Sequence, residues 1–118
     1  MTKRLGEFEQ ILLFAVLRLQ GGAYGAAIRE EIEERTGRGV SPGAIYTVLG
    51  RLESQGLVSS ELGDTTPARG GRRRKLFRLE PAGAVALQEA YGALQGIAQG
   101  TLADLSALAS EGGAGADR

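Results

Sequence analysis

The strongest chemical signal in this 118-residue sequence is a cluster of positive charge. Six of the ten residues from Arg69 to Arg78 are basic and none is acidic, although the whole chain has 14 basic and 14 acidic residues. Residues 41–79 carry seven basic and three acidic residues, a net of +4, and residues 80–118 carry one basic and five acidic, a net of −4. Such a local concentration favours a polyanionic partner, the alternative being a loop that serves solubility alone. We therefore predict that this stretch contacts nucleic acid.

A second group of polar side chains belongs to a helix predicted to begin at Ser41. Serine is a preferred N-cap, and Pro42 at the first helical position loses no backbone hydrogen bond. Apolar residues then recur at i, i+3, i+4 and i+7, which predicts one buried stripe: Ile45, Val48, Leu49 and Leu52. The opposite face carries small or polar residues flanked by Tyr46 and Arg51: Gly43, Thr47, Gly50 and Ser54.

Several function classes are excluded by the residues that the chain lacks. It has neither cysteine nor histidine, so disulfides, thiolate or histidine metal sites and Ser-His triads are unavailable. We predict no enzyme, no cofactor and no metal site. Four glutamates between positions 30 and 34 could be considered a metal site, but a solvated helix face with intrahelical ion pairs is favoured. The longest apolar run, Ile11 to Leu17, is far short of the roughly 20 residues that span a bilayer, which predicts no membrane partner. No secretory leader is recognisable at the start of the sequence, which predicts a cytoplasmic protein.

The order of predicted elements gives the fold class. Apolar spacing predicts helices from about 5 to 20 and 24 to 36, and the Ser41 helix follows. Two strands, 57 to about 62 and 73 to 79, flank the basic loop as a hairpin, with Arg74 and Arg78 facing out. A single helix is predicted from Pro81 to about 109. The chain is thus mainly α with a small β-hairpin: a winged helix-turn-helix (1–80), a long C-terminal dimerisation helix (81–109) and a disordered tail (110–118).

This arrangement predicts a double-stranded DNA interface. The Ser41 helix has the length to enter a major groove, its N-terminus suits phosphate, and the hairpin tip would lie along the backbone or in the minor groove. Some residues keep two interpretations: Tyr46 could be core, Tyr24 could serve packing, and Arg51 could pair with Glu53 or Glu61. The predicted DNA-binding residues are Tyr24, Ser41, Gly43, Tyr46, Thr47, Arg51, Arg69, Arg72, Arg73, Arg74 and Lys75.

Three segments resemble the PadR-like family of transcriptional regulators. Residues 41–58, SPGAIYTVLGRLESQGLV, are similar to its recognition-helix pattern S-x-G-T-[IL]-Y-x-x-L-x-R-L-E-x-x-G-L-[IV]. Residues 22–25 resemble its G-x-x-Y-G opening of the second helix, and residues 70–79 its wing strand. The chain departs from the pattern at Ala44, Leu76 and Glu80, where Thr, an aromatic and Thr are usual. The resemblance implies a sequence-specific regulator of the short subfamily, most often a repressor that binds an inverted repeat.

The first and last predicted helices carry more apolar surface than one small core can cover, which predicts a homodimer. Gly92, Gly96 and Gly100 recur every fourth residue and either admit another helix or loosen this one. A small apolar effector could bind between the first and last helices, the alternative being a closed interface; without Trp, the sandwiching of planar drugs known in the family is not implied. The predicted interface residues are Phe8, Leu12, Tyr91, Leu94, Gly96 and Leu105. The rival hypothesis is a winged-helix protein-interaction module without DNA binding.

Overall fold

The backbone is described for residues 4–65 and 73–116 in a computed structural model of the protein. Within these ranges the chain forms five helices and one antiparallel pair of strands, which confirms the predicted fold class. The elements are α1 (Glu7–Arg18), α2 (Gly25–Thr36), α3 (Pro42–Ser54), β1 (Val58–Thr65), β2 (Arg73–Leu79), α4 (Pro81–Ala98) and α5 (Leu102–Ala116).

Helix α1 lies at the centre of the core. Glu9 accepts a hydrogen bond from the Gly6 amide at 2.8 Å, which satisfies one of the free N–H groups at the helix start. Leu12 and Leu13 are completely buried. The helix contacts α2, β2 and α4, so three of its sides are covered by its own chain. The nearly all-round apolar sequence of α1 is thus explained mainly by intrachain packing.

Helices α2 and α3 complete the helix-turn-helix. Gly37, at φ +71, ends α2 in the left-handed conformation that glycine adopts without steric cost. The Ser41 hydroxyl accepts a hydrogen bond from the Ala44 amide at 3.1 Å, so the predicted N-cap of α3 is confirmed. All four residues of the predicted apolar stripe are buried, and they pack with Ile28 and Ile32 of α2 in one cluster.

The β-hairpin is fastened to the helices along one edge. Val58 pairs with Leu79 and Ser60 with Phe77, and the register becomes irregular between Leu62 and Thr65. The outer edge of β2 pairs with the residues before α2, because the Phe77 amide donates to the Ala23 carbonyl at 2.9 Å and Tyr24 forms a bridge to Leu76. The base of the wing is therefore held between α3 and the start of α2.

The first turn of α4 docks closely on the end of the helix-turn-helix. The Glu80 amide donates to the Leu57 carbonyl at 3.0 Å. Gly83 is buried beside the same carbonyl, and a Cβ atom added to it would lie 2.1 Å from the Leu57 oxygen. Only glycine allows this approach of helix to backbone.

The prediction of one helix over 81–109 is wrong, because the chain forms two. Helix α4 ends at Ala98, and Gly100 has φ +83, a conformation that a right-handed helix cannot continue through. The Thr101 amide and hydroxyl both donate to the Ala98 carbonyl, at 3.0 and 2.6 Å. Helix α5 then runs to Ala116, past the predicted start of a disordered tail at 110, in a segment rich in alanine, the best helix former.

Helix α5 projects from the rest of the molecule. Every residue from 102 to 112 is exposed, including Leu102, Leu105 and Leu108, each at least 60% exposed. The radius of gyration is 17.5 Å, against about 13 Å for a compact domain of this length. In the described ranges, no helix combines the length and apolar character required to cross a bilayer. We call α5 the C-terminal arm.

Candidate nucleic-acid interface

One face of α3 is directed at solvent along the whole helix. Its members recur at helical spacing opposite the buried stripe, and all are exposed, as predicted. A Cβ added at Gly43 or Gly50 would meet nothing within 4 Å, so both positions admit a close external surface. We call this set the recognition face: Gly43, Tyr46, Thr47, Gly50, Arg51 and Ser54. Ser41 lies at the N-terminal end of the same helix, where unpaired amides and the helix dipole favour an anion.

Tyr46 is the largest side chain of the recognition face. It is 50% exposed, so the alternative that placed it in the core is wrong. Its phenol lies across the start of α2, so close that a Cβ at Gly25 would be 2.2 Å from its Oη. The ring is therefore presented to solvent on one side and supported by backbone on the other.

Arg51 has an ion-pair partner that the sequence analysis missed. Its Nη2 lies 3.3 Å from Oε2 of Glu9, whose side chain is only 10% exposed. The two predicted alternatives are engaged elsewhere: Glu53 accepts from Ser60 Oγ at 2.6 Å, and Glu61 pairs with Arg78. The Gly6-to-Glu9 spacing of a capping box indicates where the Glu9 carboxylate lies at the start of α1, but no pattern in the sequence indicates its pairing with Arg51, 42 residues away. Arg51 is still 49% exposed and remains available at the surface.

The basic residues of the wing differ in their surroundings. Arg69 and Arg72 lie outside the described residues, as does the side chain of Arg73. Lys75 is exposed. Arg78 is also exposed and faces out as predicted, but the carboxylate of Glu61 across the hairpin neutralises it.

Arg74 was predicted to face solvent, and this prediction is wrong. Its guanidinium carbon lies 4.0 Å from the centre of the Tyr24 ring, the geometry of a cation–π contact. The side chain is half-buried, and its Nε finds no hydrogen-bond acceptor in the part of the chain that the structure describes. The reason for the difference is the backbone bridge between Tyr24 and β2, which strand alternation alone does not reveal.

One of the four glutamates of α2 is held by two arginines. Glu31 accepts hydrogen bonds from Arg35 at 2.7 Å and Arg18 at 2.9 Å, and the former is an intrahelical ion pair of the predicted kind. These two hydrogen bonds hold the pKa of Glu31 below its ordinary value. Over residues 4–65 and 73–116, no three acidic side chains converge where they could hold a metal ion.

The predicted interface residues are not all on one surface. Leu12 is completely buried in its own core and Phe8 packs against that core, so Leu12 cannot contact a second subunit. Phe14, rather than Phe8, meets Tyr91 edge-on at 5.3 Å. Residues on the exposed side of α4 and the start of α5 form a groove of about 670 Å³. The groove is lined by Tyr91, Gly92, Leu94, Gln95, Gly96, Ala98, Gln99 and Leu102.

Comparisons with known proteins cover most of the chain. The model of the transcriptional regulator PadR-like family matches residues 13–89, from α1 into α4. The transcriptional regulator Rv3488 of Mycobacterium tuberculosis (strain ATCC 25618 / H37Rv) is 39% identical over 89 residues, which are 75% of this chain and 78% of that protein.

Solved structures of similar fold include two at 26% and 27% sequence identity. A PadR family transcriptional regulator from Eggerthella lenta DSM 2243 has a TM-score of 0.64 at 26% identity, with 81% of each chain covered. A PadR family transcription regulator from hypervirulent Clostridium difficile R20291 has a TM-score of 0.63 at 27% identity, covering 80% of this chain and 97% of that one.

Proposed function

Because this chain belongs to the PadR-like family of transcriptional regulators, we propose that it is a homodimeric repressor that binds an inverted repeat in double-stranded DNA. Family membership also confirms the prediction that the chain is a regulator and not an enzyme. The observation that carries the proposal is the recognition face, a solvent-directed row of small and polar residues on the second helix of a helix-turn-helix, beside a basic wing.

The recognition face has the composition required to approach base edges. Gly43 and Gly50 leave room for the walls of a major groove, while Thr47 and Tyr46 place hydroxyl and ring atoms between them. Ser41 and the first amides of α3 would contact a phosphate. Arg51 would contact a phosphate from the exposed part of its guanidinium, since Glu9 occupies one side of it.

The wing would supply affinity that is independent of sequence. Arg69, Arg72, Arg73 and Lys75 are the cations proposed to contact the DNA backbone or minor groove. Arg78 forms an exposed ion pair with Glu61 and is not included among these cations. Specificity would therefore come from α3 and salt-dependent affinity from the wing.

A binding experiment with the full chain tests this division. Affinity for the gene's own upstream DNA and for a random duplex of equal length is measured by mobility shift at several salt concentrations. Replacing Arg69, Arg72 and Arg73 with Ala should weaken binding to both duplexes. The salt slope, which is the slope of log affinity against log salt concentration, should become shallower by about one for each phosphate that is no longer neutralised. Thr47→Ala should reduce the preference for one duplex and leave the slope unchanged. A wild-type chain that binds neither duplex would favour the rival protein-interaction module.

The dimer is proposed to form through the exposed side of α4 and the C-terminal arm. The large apolar side chains on this surface are at least 43% exposed. Gly92 and Gly96 have open space above them, which allows the backbone of a second helix to approach. The exposed apolar residues are Tyr91, Leu94, Ile97, Leu102, Leu105 and Leu108.

We also propose a small apolar effector, but at the α4–α5 groove and not between α1 and the last helix as predicted, because no residue of α1 is among the described residues that line the groove. None of the described residues that line the groove is charged, and Tyr91 supplies one hydroxyl that could orient a ligand. Binding there would change the spacing of the two α3 helices, which must match about one DNA turn, roughly 34 Å. Gly96→Leu should fill the groove: a screen of hydrophobic compounds should raise the melting temperature of wild type and not of this variant. Equal stabilisation of both would indicate a closed interface or another site.

A further inference from the structure

The residues Tyr24 and Gly25, at the start of α2, contact the recognition face and the wing at the same time. We infer that this dipeptide, the Tyr24–Gly25 junction, is a positioning element that fixes Tyr46 of α3 relative to the wing and thereby sets DNA specificity. The inference rests on the proposed DNA-binding function. Neither residue of the junction needs to touch a base for this role.

The glycine half of the junction supports the Tyr46 ring. Gly25 is buried, and a Cβ at this position would lie 2.2 Å from Oη, 2.4 Å from Cζ and 2.9 Å from Cε1 of Tyr46. No real Cβ contact is this short, so any other residue at position 25 must displace the ring. Tyr46 is 50% exposed and can swing into solvent. The expected cost of a side chain at Gly25 is therefore a change in orientation of Tyr46 and not unfolding.

The tyrosine half of the junction supports the base of the wing. The Tyr24 ring is stacked against the Arg74 guanidinium of β2 at 4.0 Å. On the β1 side, a Cβ at Gly63 would lie 3.2 Å from Tyr24 Oη, so the ring edge fits beside a residue without a side chain. The backbone bridge from Tyr24 to Leu76 adds a second attachment to the same strand pair.

The two supports are coupled because they are consecutive residues. One peptide unit fixes the distance between the Tyr24 and Gly25 Cα atoms at about 3.8 Å. A shift of the wing base is therefore transmitted to the support of Tyr46 with no flexible segment between them. This also assigns the Tyr24 side chain to packing: its ring, and not its hydroxyl, would make the contribution to DNA binding.

The first test changes the glycine and measures specificity separately from stability. In Gly25→Ala, we expect a melting temperature close to that of wild type and a roughly tenfold loss in the ratio of upstream-DNA to random-DNA affinity, the size of one base contact. In a Tyr46→Ala background, Gly25→Ala should cause no further loss, since both changes remove the same positioned ring. Gly39→Ala is the control: it adds the same methyl group between α2 and α3, where a Cβ would meet only Glu33 Oε2 at 3.7 Å, an ordinary contact, and it should keep the wild-type ratio.

The second test separates the ring of Tyr24 from its hydroxyl. Tyr24→Phe keeps the stack on Arg74 and should retain wild-type affinity, ratio and salt slope, whereas Tyr24→Leu should lower the ratio. A reduction of the salt slope by about one in Tyr24→Phe would show a phosphate contact by the hydroxyl and overturn the assignment.

The outcomes distinguish the two levels of the hypothesis. If the wild-type chain shows no salt-dependent binding to any duplex, the proposed function fails. If wild type binds with a clear preference and folded Gly25→Ala keeps that preference, the proposed function stands and the junction hypothesis is wrong. Additive losses from Gly25→Ala and Tyr46→Ala would overturn it equally, because Gly25 would then act by another route.

Discussion

Four helical glycines have opposite surroundings in two regions of the molecule, the packed half (the winged helix with the first turn of α4) and the second half (the rest of α4 with the C-terminal arm). In the packed half, a Cβ added at Gly25 or Gly83 would collide at 2.2 or 2.1 Å with atoms of the same chain. In the second half, a Cβ added at Gly92 or Gly96 would meet nothing within 4 Å. The first pair therefore marks sites that the chain itself has filled, and the second pair marks an open surface on which atoms of another molecule could pack.

The apolar side chains repeat this contrast. Leu12, Leu49 and Leu52 are completely buried, while Leu105 and Leu108 are 60% and 65% exposed. Burial of a leucine stabilises by about 1.5–3 kcal/mol. The winged helix therefore obtains this stabilisation within one chain, and the C-terminal arm would obtain it on the proposed association.

The largest effect is expected from Gly83→Ala. The added methyl group would overlap the backbone oxygen of Leu57, which cannot rotate away, so the α4 start must move off the core. We expect a loss of about 3 kcal/mol or more of unfolding free energy, the upper range for overpacking. Thermal and urea denaturation measure it.

Gly92→Ala is the control for this prediction. It adds the same methyl group to the same helix in open space, and should stabilise α4 by about 1 kcal/mol through helix propensity. If both variants changed stability alike, the contrast between a filled and an unfilled half would disappear.

The next effect in size concerns association. Leu105→Glu places a charge in the exposed apolar row of the arm, and a symmetric dimer contains this position twice. We expect a loss of about 2 kcal/mol for each chain, or about 4 kcal/mol for the dimer, which corresponds to a dimer weakened roughly a thousandfold. Sedimentation should show that Leu105→Glu is a monomer. In a thermal denaturation experiment, its winged helix should unfold at a temperature close to the native one.

Ser106→Glu, an exposed neighbour on another side of α5, should leave the dimer intact. A wild-type chain that is monomeric at micromolar concentration would contradict the prediction. So would a stable dimer of Leu105→Glu.

A smaller effect is expected at the break between the halves. Alanine at Gly100 is disfavoured by about 1–2 kcal/mol in the left-handed conformation and gains about 1 kcal/mol in a continuous helix. Gly100→Ala should therefore shift α4 and α5 towards one straight helix. Spin labels are attached through Glu89→Cys and Ser106→Cys in a chain that has no other cysteine. In the straight helix of Gly100→Ala, the distance between the two labelled positions should be about 26 Å along the helix axis. Gly96→Ala should leave their distance unchanged.

The smallest effect concerns pH and belongs to the packed half. Hydrogen bonds from Arg35 and Arg18 lower the pKa of Glu31 in the folded chain, so the ionised carboxylate stabilises the α1–α2 contact at neutral pH. This contribution is fully present above the ordinary pKa of 4.5 and is lost as the pH falls through the lower, folded value. Glu31→Gln should melt slightly below wild type at pH 7, and the difference should shrink at acid pH. A difference that grows on acidification would reverse the assigned sign.

The packed half was the more predictable from the sequence. The Ser41 cap, the four-residue stripe of α3 and the bounds of β2 follow from local chemistry and periodicity, and the structure confirms them. Misses in this half involve partners distant in the chain: Arg51 with Glu9, and Arg74 with Tyr24. Periodicity shows which side of an element is exposed, but it does not show which distant residue comes to lie there.

The second half was less predictable for a different reason. The apolar row of α4 and α5 keeps helical spacing across residues 99–101, so the pattern favours one helix. The break depends on the conformation of Gly100 and on the Thr101 bonds to Ala98, which spacing does not encode. Leu12 was assigned to the interface because α1 is apolar on most sides, and only the packing shows which sides its own chain covers.

The position of the arm after the winged helix has a consequence for biosynthesis. Among the residues that the structure describes, every buried apolar side chain of the core lies between Leu5 and Leu87, and α5 follows the last of them. Because a chain leaves the ribosome from its N-terminus and its N-terminal parts fold first, the residues of the core emerge before the exposed apolar row of α5 does. The proposed association through α5 would then follow the emergence of each core, which disfavours entanglement of unfolded chains.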